Sequence, residues 1–306
     1  MGVIARREFL RLAAAGVILP AATRRQGRVG AARLQDAIGR ITALVAASGA
    51  EVAVVWRPLD AAAGEEIRIA SGLRFHAAST MKLPVMIELF QQAHDGKLTL
   101  DDTVIVTNQF KSLADGSPYT LSADEDSDGE TYRAIGKPLA LRSLCETMIA
   151  ASGNLAANVL IERLGVANIK RTLASLDASG MEVLRGVEDQ KAFDRGMNNT
   201  TDAAALATLL TSLGRRRAVS PAASDEMLAI LKRQQHNDEI PAGLPPGTIV
   251  AHKTGWITRI LHDAAIVYAP RPYVLVVLTR GLDDRAAASR LIADISRVSW
   301  QLTTDR

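Results

Sequence analysis

Cysteine is almost missing from these 306 residues. Cys145 stands alone, so no disulfide can close within the chain and no thiolate cluster can hold a metal. It reads as a small apolar core residue. Aromatic residues are scarce, at 4%, which leaves no platform on which nucleic-acid bases would stack. Neither sign of charge dominates. The 36 Lys and Arg against 33 Asp and Glu give a formal net charge of +3, and the two signs are interspersed, which argues against a nucleic-acid partner. No apolar run approaches the roughly 20 residues needed to cross a bilayer. With 48% hydrophobic residues, the chain can still bury a sizeable core.

The first residues read as a leader. Arg6-Arg7-Glu8-Phe9-Leu10-Arg11 precede the short apolar run Leu12 to Leu19, and the small residues Ala21 and Ala22 follow. This order of charged, apolar and small zones marks an export signal, and the paired arginines resemble a twin-arginine signal, whose receptor carries folded proteins. The expected organisation is a signal over residues 1–29, cut between Ala22 and Gly30, and an exported mature chain over 30–306. That chain is expected to be a monomer, periplasmic, extracellular or bound to the cell wall, with no membrane span once the signal is removed.

Helical spacing of apolar residues covers Ala31 to Ala47, and strand-like stretches follow at Glu51 to Arg57 and Glu66 to Ala70. The middle is mostly helical, as in Leu139 to Leu164 and Asp202 to Leu213. Three further strand-like stretches, Thr248 to Gly255, Asp263 to Tyr268 and Tyr273 to Leu278, precede a last helix from about Asp283 to Leu302. Two lobes result: an α/β lobe from residues 30–75 and 245–306, and a helical lobe from 76–244.

Chemistry enters at Ala78-Ser79-Thr80-Met81-Lys82. Serine suits a helix start, and the spacing of three puts the Lys82 amine on the same helix face as the Ser79 hydroxyl, within reach of its proton. The Ser79 backbone N–H, at the positive helix end, can stabilise an oxyanion. Alone, a serine three residues before a lysine is also an ordinary cap and a surface residue. It is accompanied by Ser152-Gly153-Asn154 in a helical region and by Lys253-Thr254-Gly255 closing an apolar run.

Ser-x-x-Lys, Ser-x-Asn and Lys-Thr-Gly in this order resemble the class A β-lactamases and penicillin-binding proteins. The resemblance covers essentially the mature chain. It implies a β-lactamase/transpeptidase-like α/β fold, with a five-stranded antiparallel sheet flanked by helices and an all-helical lobe. It implies a small-molecule substrate, a β-lactam or an acyl-D-Ala-D-Ala-like compound, and no metal or organic cofactor. Ser79 would be the nucleophile and Lys82 its base. Ser152 would relay a proton to the leaving nitrogen, and Asn154 would hold the substrate's side-chain amide. Lys253 and Thr254 would meet the substrate carboxylate, Gly255 would allow close approach, and Trp256 would give a second oxyanion N–H. Arg259 or His262 would add a carboxylate contact or lie on the surface.

The chain departs from the pattern in places. Gly153 stands where the family usually has aspartate. The loop Met181 to Thr201 offers Glu188 as the deacylation base, in a stretch shorter than the family's. Trp256-Ile257-Thr258-Arg259 is bulky, which disfavours large cephalosporin-type groups. The acidic stretch Asn108 to Lys137 reads as a long surface loop that could wall the cleft; its Asp124-x-Asp126-x-Asp128-Gly129 copies half a calcium loop, but Ile135 replaces the completing glutamate. The same nucleophile without efficient deacylation would be a penicillin-binding carboxypeptidase, transpeptidase or esterase-like hydrolase. A third possibility is a cell-wall or lactam sensor acylated once.

Overall fold

The computed structural model describes residues 29–61 and 64–304; the leader assigned to 1–29 lies almost wholly outside them. Helix α1 (Ala31–Ser48) ends at Gly49, whose φ of 66° suits a residue without a Cβ. Strands β1 (Glu51–Pro58) and β2 (Ile67–Ile69) follow. Next come α2 (Lys82–His94), α3 (Gly129–Arg133), α4 (Leu141–Ala150), α5 (Asn154–Leu164) and α6 (Val166–Ser175). After α7 (Gln190–Asp194), α8 (Ala203–Gly214) and α9 (Pro221–Leu231), the chain returns to the sheet with β3 (Val250–Ile257), β4 (Ile260–Val267) and β5 (Tyr273–Arg280), and closes with α10 (Arg285–Thr304).

The five strands form one antiparallel sheet in the order β2-β1-β5-β4-β3. Strand β5 lies at its centre and pairs with β1 from Glu51↔Arg280 to Pro58↔Tyr273. Alternate residues serve different cores, as the period of two requires. Val52, Val54 and Trp56 of β1, with Tyr273, Leu275 and Val277 of β5, pack with Ile41 of α1 and Ile292 and Ile295 of α10. Ala53 and Val55, with Val274, Val276 and Leu278, face the other way and join the core of the helical lobe. Because both faces are covered, the central strands are runs of Val, Leu and Ala with no exposed polar side. Cys145 is one of the buried apolar residues of the helical core.

The strand boundaries expected from sequence shift in the last three elements. Lys253-Thr254-Gly255 sits inside β3, which continues to Ile257, and β4 begins at Ile260. Thr258-Arg259 is the two-residue turn between them, with Arg259 at a φ of 61°. Ser152-Gly153-Asn154 lies at the junction of α4 and α5 and not within a continuous helix. The stretch 108–137 is more structured than a surface loop: residues 110–111 pair with 118–119, and α3 is capped by the buried Asp128.

From the turn between β4 and β5, the Arg271 guanidinium bonds both oxygens of Glu65, one of them at 2.9 Å, and Asp60 at 2.7 Å. Arg271 and Glu65 are both buried. Removing one member of such a pair leaves the other's desolvation uncompensated, so Arg271→Ala is expected to destabilise the fold by about 3 kcal/mol. Urea unfolding of the two proteins measures the difference.

Candidate active site

The nucleophile candidate is presented by a tight turn. Ala78–Met81 forms one 3-10 turn that runs directly into α2, so Ser79 stands just ahead of the helix and Lys82 is its first residue. Ala78 has a φ of 45°, a conformation that costs a non-glycine residue roughly 1–3 kcal/mol and persists only where neighbours fix it. Here the Ala78 N–H donates to His76 Nδ1 at 3.0 Å, the Ala77 N–H to Asn199 O at 2.8 Å, and the Thr80 hydroxyl to Ala77 O at 2.6 Å.

Lys82 is fully buried. Its ammonium donates to Ser152 O at 2.6 Å, Ser152 Oγ at 3.3 Å and Asn154 Oδ1 at 2.7 Å. Burial lowers its pKa to about 7, against the pull of Asp126, Glu188 and Asp128. The neutral amine a base requires is therefore accessible near neutral pH. Lys253, also fully buried, donates to Ser152 Oγ and to Thr254 O, both at 2.9 Å. Burial, and then the Lys82 charge, push its pKa down, while Asp263 and Glu239 hold it up. Ser152 Oγ thus accepts from both amines, which leaves its own hydrogen free to point toward a ligand.

Ser79, Asn154, Glu188 and Trp256 line one cleft of about 360 Å³, with His76 and Phe193 on its wall. Lys82, Ser152 and Lys253 form the hydrogen-bonded chain beside it. Glu188, at a φ of 61°, accepts from Asn154 Nδ2 at 2.7 Å. Burial above all raises its pKa, partly offset by the Asn154 bond. Gly255 is required by contact: a Cβ there would sit 2.9 Å from Ser79 N and 3.0 Å from Thr80 N. Strand β3 is an edge strand, and this closeness lets the Ser79 turn lie against it. Trp256 is exposed at the rim, with the Arg285 guanidinium 4.5 Å from its ring centroid.

Arg259 and His262 do not line the cleft. Arg259 turns outward to Gly281 O at 2.9 Å and Asp283 at 3.0 Å. His262 is fully buried, and burial lowers its pKa to about 4. Neutral, with the proton on Nε2, it donates to His76 O at 2.9 Å and accepts from the Thr279 N–H at 3.2 Å.

The loop bearing Glu188 is held by amides whose part the sequence did not reveal. Asn199 Oδ1 accepts from Leu184 N and Arg185 N, and its Nδ2 donates to Arg185 O. Asn158 brackets Val187 the same way, accepting from its N–H at 2.7 Å and donating to its carbonyl at 3.1 Å. Arg185 ties the loop's two ends through Met197 O and Asn198 Oδ1. Asp126, met in the sequence only as part of an incomplete calcium pattern, accepts from the backbone of Asn154.

A model of the beta-lactamase enzyme family matches residues 36–303. A beta-lactamase of Streptomyces albus G is 28% identical over 95% of each chain. Among solved structures, a beta-lactamase from Sphaerobacter thermophilus superposes with a TM-score of 0.74 at 27% identity, over 87% of this chain and 97% of that one. The structure of PBP-A gives the same TM-score of 0.74 at 26% identity, over 89% and 95%. Fold, motif order and family match agree: the chain belongs to the beta-lactamase enzyme family.

Proposed function

We propose that this protein hydrolyses β-lactams through an ester on Ser79, and so protects a cell from these antibiotics. The observation that carries hydrolysis is the seat of Glu188. Its carboxyl rests on Asn154 Nδ2 at 2.7 Å, while Asn154 Oδ1 accepts from Lys82 at 2.7 Å. One amide therefore holds two candidate bases, Lys82 for forming the ester and Glu188 for cleaving it.

In the first half, neutral Lys82 takes the Ser79 proton as Oγ attacks the lactam carbonyl. The backbone N–H groups of Ser79 and Trp256 receive the oxyanion. The C–N bond then breaks, and the Ser152 hydroxyl, flanked by two amines, hands its proton to the departing nitrogen and recovers one from them. Lys253 and Thr254 meet the substrate carboxylate. In the second half, Glu188 takes a proton from water as that water attacks the ester; the bond to Ser79 Oγ then breaks and the proton returns to Oγ, restoring the hydroxyl. A penicillin-binding protein stalls after the first half when its substrate is a lactam, so the placement of Glu188 favours turnover over a long-lived adduct. The mature chain, 30–306, would act as one two-lobed hydrolase domain outside the cytoplasm, a location supported by the Arg6-Arg7 leader. No helix among the described residues is long and apolar enough to cross a membrane.

Time-resolved intact-protein mass spectrometry with penicillin G tests this reading: a transient adduct on Ser79 is expected together with continuing hydrolysis. Ser79→Ala should abolish both, and surviving hydrolysis would sink the assignment. Glu188→Gln should let the adduct accumulate, with deacylation slower by about 10²- to 10⁴-fold; unchanged turnover would remove Glu188 from the mechanism. The acylation rate should fall as pH drops below about 7, because protonated Lys82 accepts nothing. Stopped-flow acylation between pH 5 and 9 checks the limb, and a flat profile would count against Lys82 as the base.

A further inference from the structure

Two oddities of the sequence, the glycine in Ser152-Gly153-Asn154 and the acidic stretch before it, meet in space. A Cβ at Gly153 would lie 3.0 Å from both Cβ and Oδ2 of Asp128 and 3.2 Å from Thr147 Cγ2. The room that a side chain at 153 would take is already filled by the acidic segment. Asp128 is committed there: it caps α3 by accepting from the Glu130 and Thr131 N–H groups at 2.9 and 3.3 Å.

Its neighbour Asp126 reaches the turn itself. Both Asp126 oxygens accept from Asn154 N, at 3.0 and 2.9 Å, and Oδ2 also accepts from Leu155 N at 3.0 Å. These are the first N–H groups of α5, which have no partner within their own helix and sit at its positive end. The segment holds the turn at a second point, where the Ser127 hydroxyl donates to Ala151 O at 2.6 Å. Between these anchors stands Ser152, at a φ of 64°, in a conformation that L-residues keep only under constraint.

We propose that Asp126 is a positioning residue of the active site, a carboxylate supplied from a distant loop that fixes the Ser152–Asn154 turn in place of the side chain that Gly153 lacks. It acts through Asn154 and Ser152, and through them on Lys82, whose three donated bonds all end on those two residues. The turn's catalytic meaning rests on the hydrolase reading above; the anchoring does not.

Asp126 also carries charge toward Lys82. The charged groups acting on that amine are Asp126, Glu188 and Asp128, which favour its ammonium form, and Lys253, which opposes it. Neutralising Asp126 while keeping its shape therefore lowers the Lys82 pKa and moves the acid limb of acylation to lower pH. A role confined to structure would leave the limb in place.

The test compares Asp126→Asn, Asp126→Ala and Gly153→Asp with the parent by amide hydrogen exchange and by penicillin acylation across pH. Asp126→Ala is expected to speed exchange at Asn154 and Leu155 and to lower kcat/KM by about 100-fold, the usual cost of a misplaced catalytic group. Asp126→Asn should retain more activity, with its acid limb at lower pH. Gly153→Asp, although it restores the family's usual residue, should lower activity because its carboxylate crowds and repels that of Asp128. Unchanged exchange at both amides in Asp126→Ala, or an unmoved limb in Asp126→Asn, would overturn the proposal. Exchange is read without substrate, so a parent protein inert to penicillin would refute the hydrolase reading alone and leave the anchoring to be decided by exchange.

Discussion

The buried ammonium of Lys82 is the constraint around which the site is organised. An amine stripped of water must be repaid by hydrogen bonds, and all three of its bonds go to one turn, at Ser152 and Asn154. That requirement brings the start of α2 against the start of α5. It also puts the Ser152 hydroxyl where Lys253 reaches it from the sheet. Helical lobe and sheet, which share a core, thus also meet at one serine oxygen between two lysines. With a pKa near 7, Lys82 can hold the turn as an ammonium and, in the mechanism proposed above, act as a base when neutral.

Three of the eight non-glycine residues with positive φ among the described residues, Ala78, Ser152 and Glu188, stand at the candidate site. Each lies in the cleft or beside it, and each is held by surrounding bonds: Ala78 by His76, Ser152 by Lys82 on its carbonyl, Glu188 by Asn154. The left-handed conformation turns a side chain where a regular helix or strand would not. Its cost is carried by the packed lobes on either side.

Much of this was legible in the sequence, and for physical reasons. The short apolar, β-branched runs of β1 and β5 and the helical spacing of α1 announce the sheet and a flanking helix. The trio around Ser79, Ser152 and Lys253 announces the family, because side chains that converge leave fixed local spacings. What escaped notice was the support. Asp126 bonds backbone 28 residues away, and an N–H carries no sequence signature. Asn158 and Asn199 likewise grip main-chain atoms. His262 looked available as a ligand-binding group, but its neighbours in the fold, Phe75 and His76, seal it in.

The central strand β5 has a consequence for how the protein comes into being. It lies between β1, made at the start of the fold, and β4, made near its end. During synthesis β1 must wait, unpaired along one edge, while the whole helical lobe emerges. The Ser79 turn waits too, since the strand edge it rests on, at Gly255, is also late. Pairings this distant in sequence make folding slow and expose apolar strand edges meanwhile. The site therefore cannot assemble before β3 has emerged, and a chain that stops short of Gly255 lacks the strand edge against which the Ser79 turn rests.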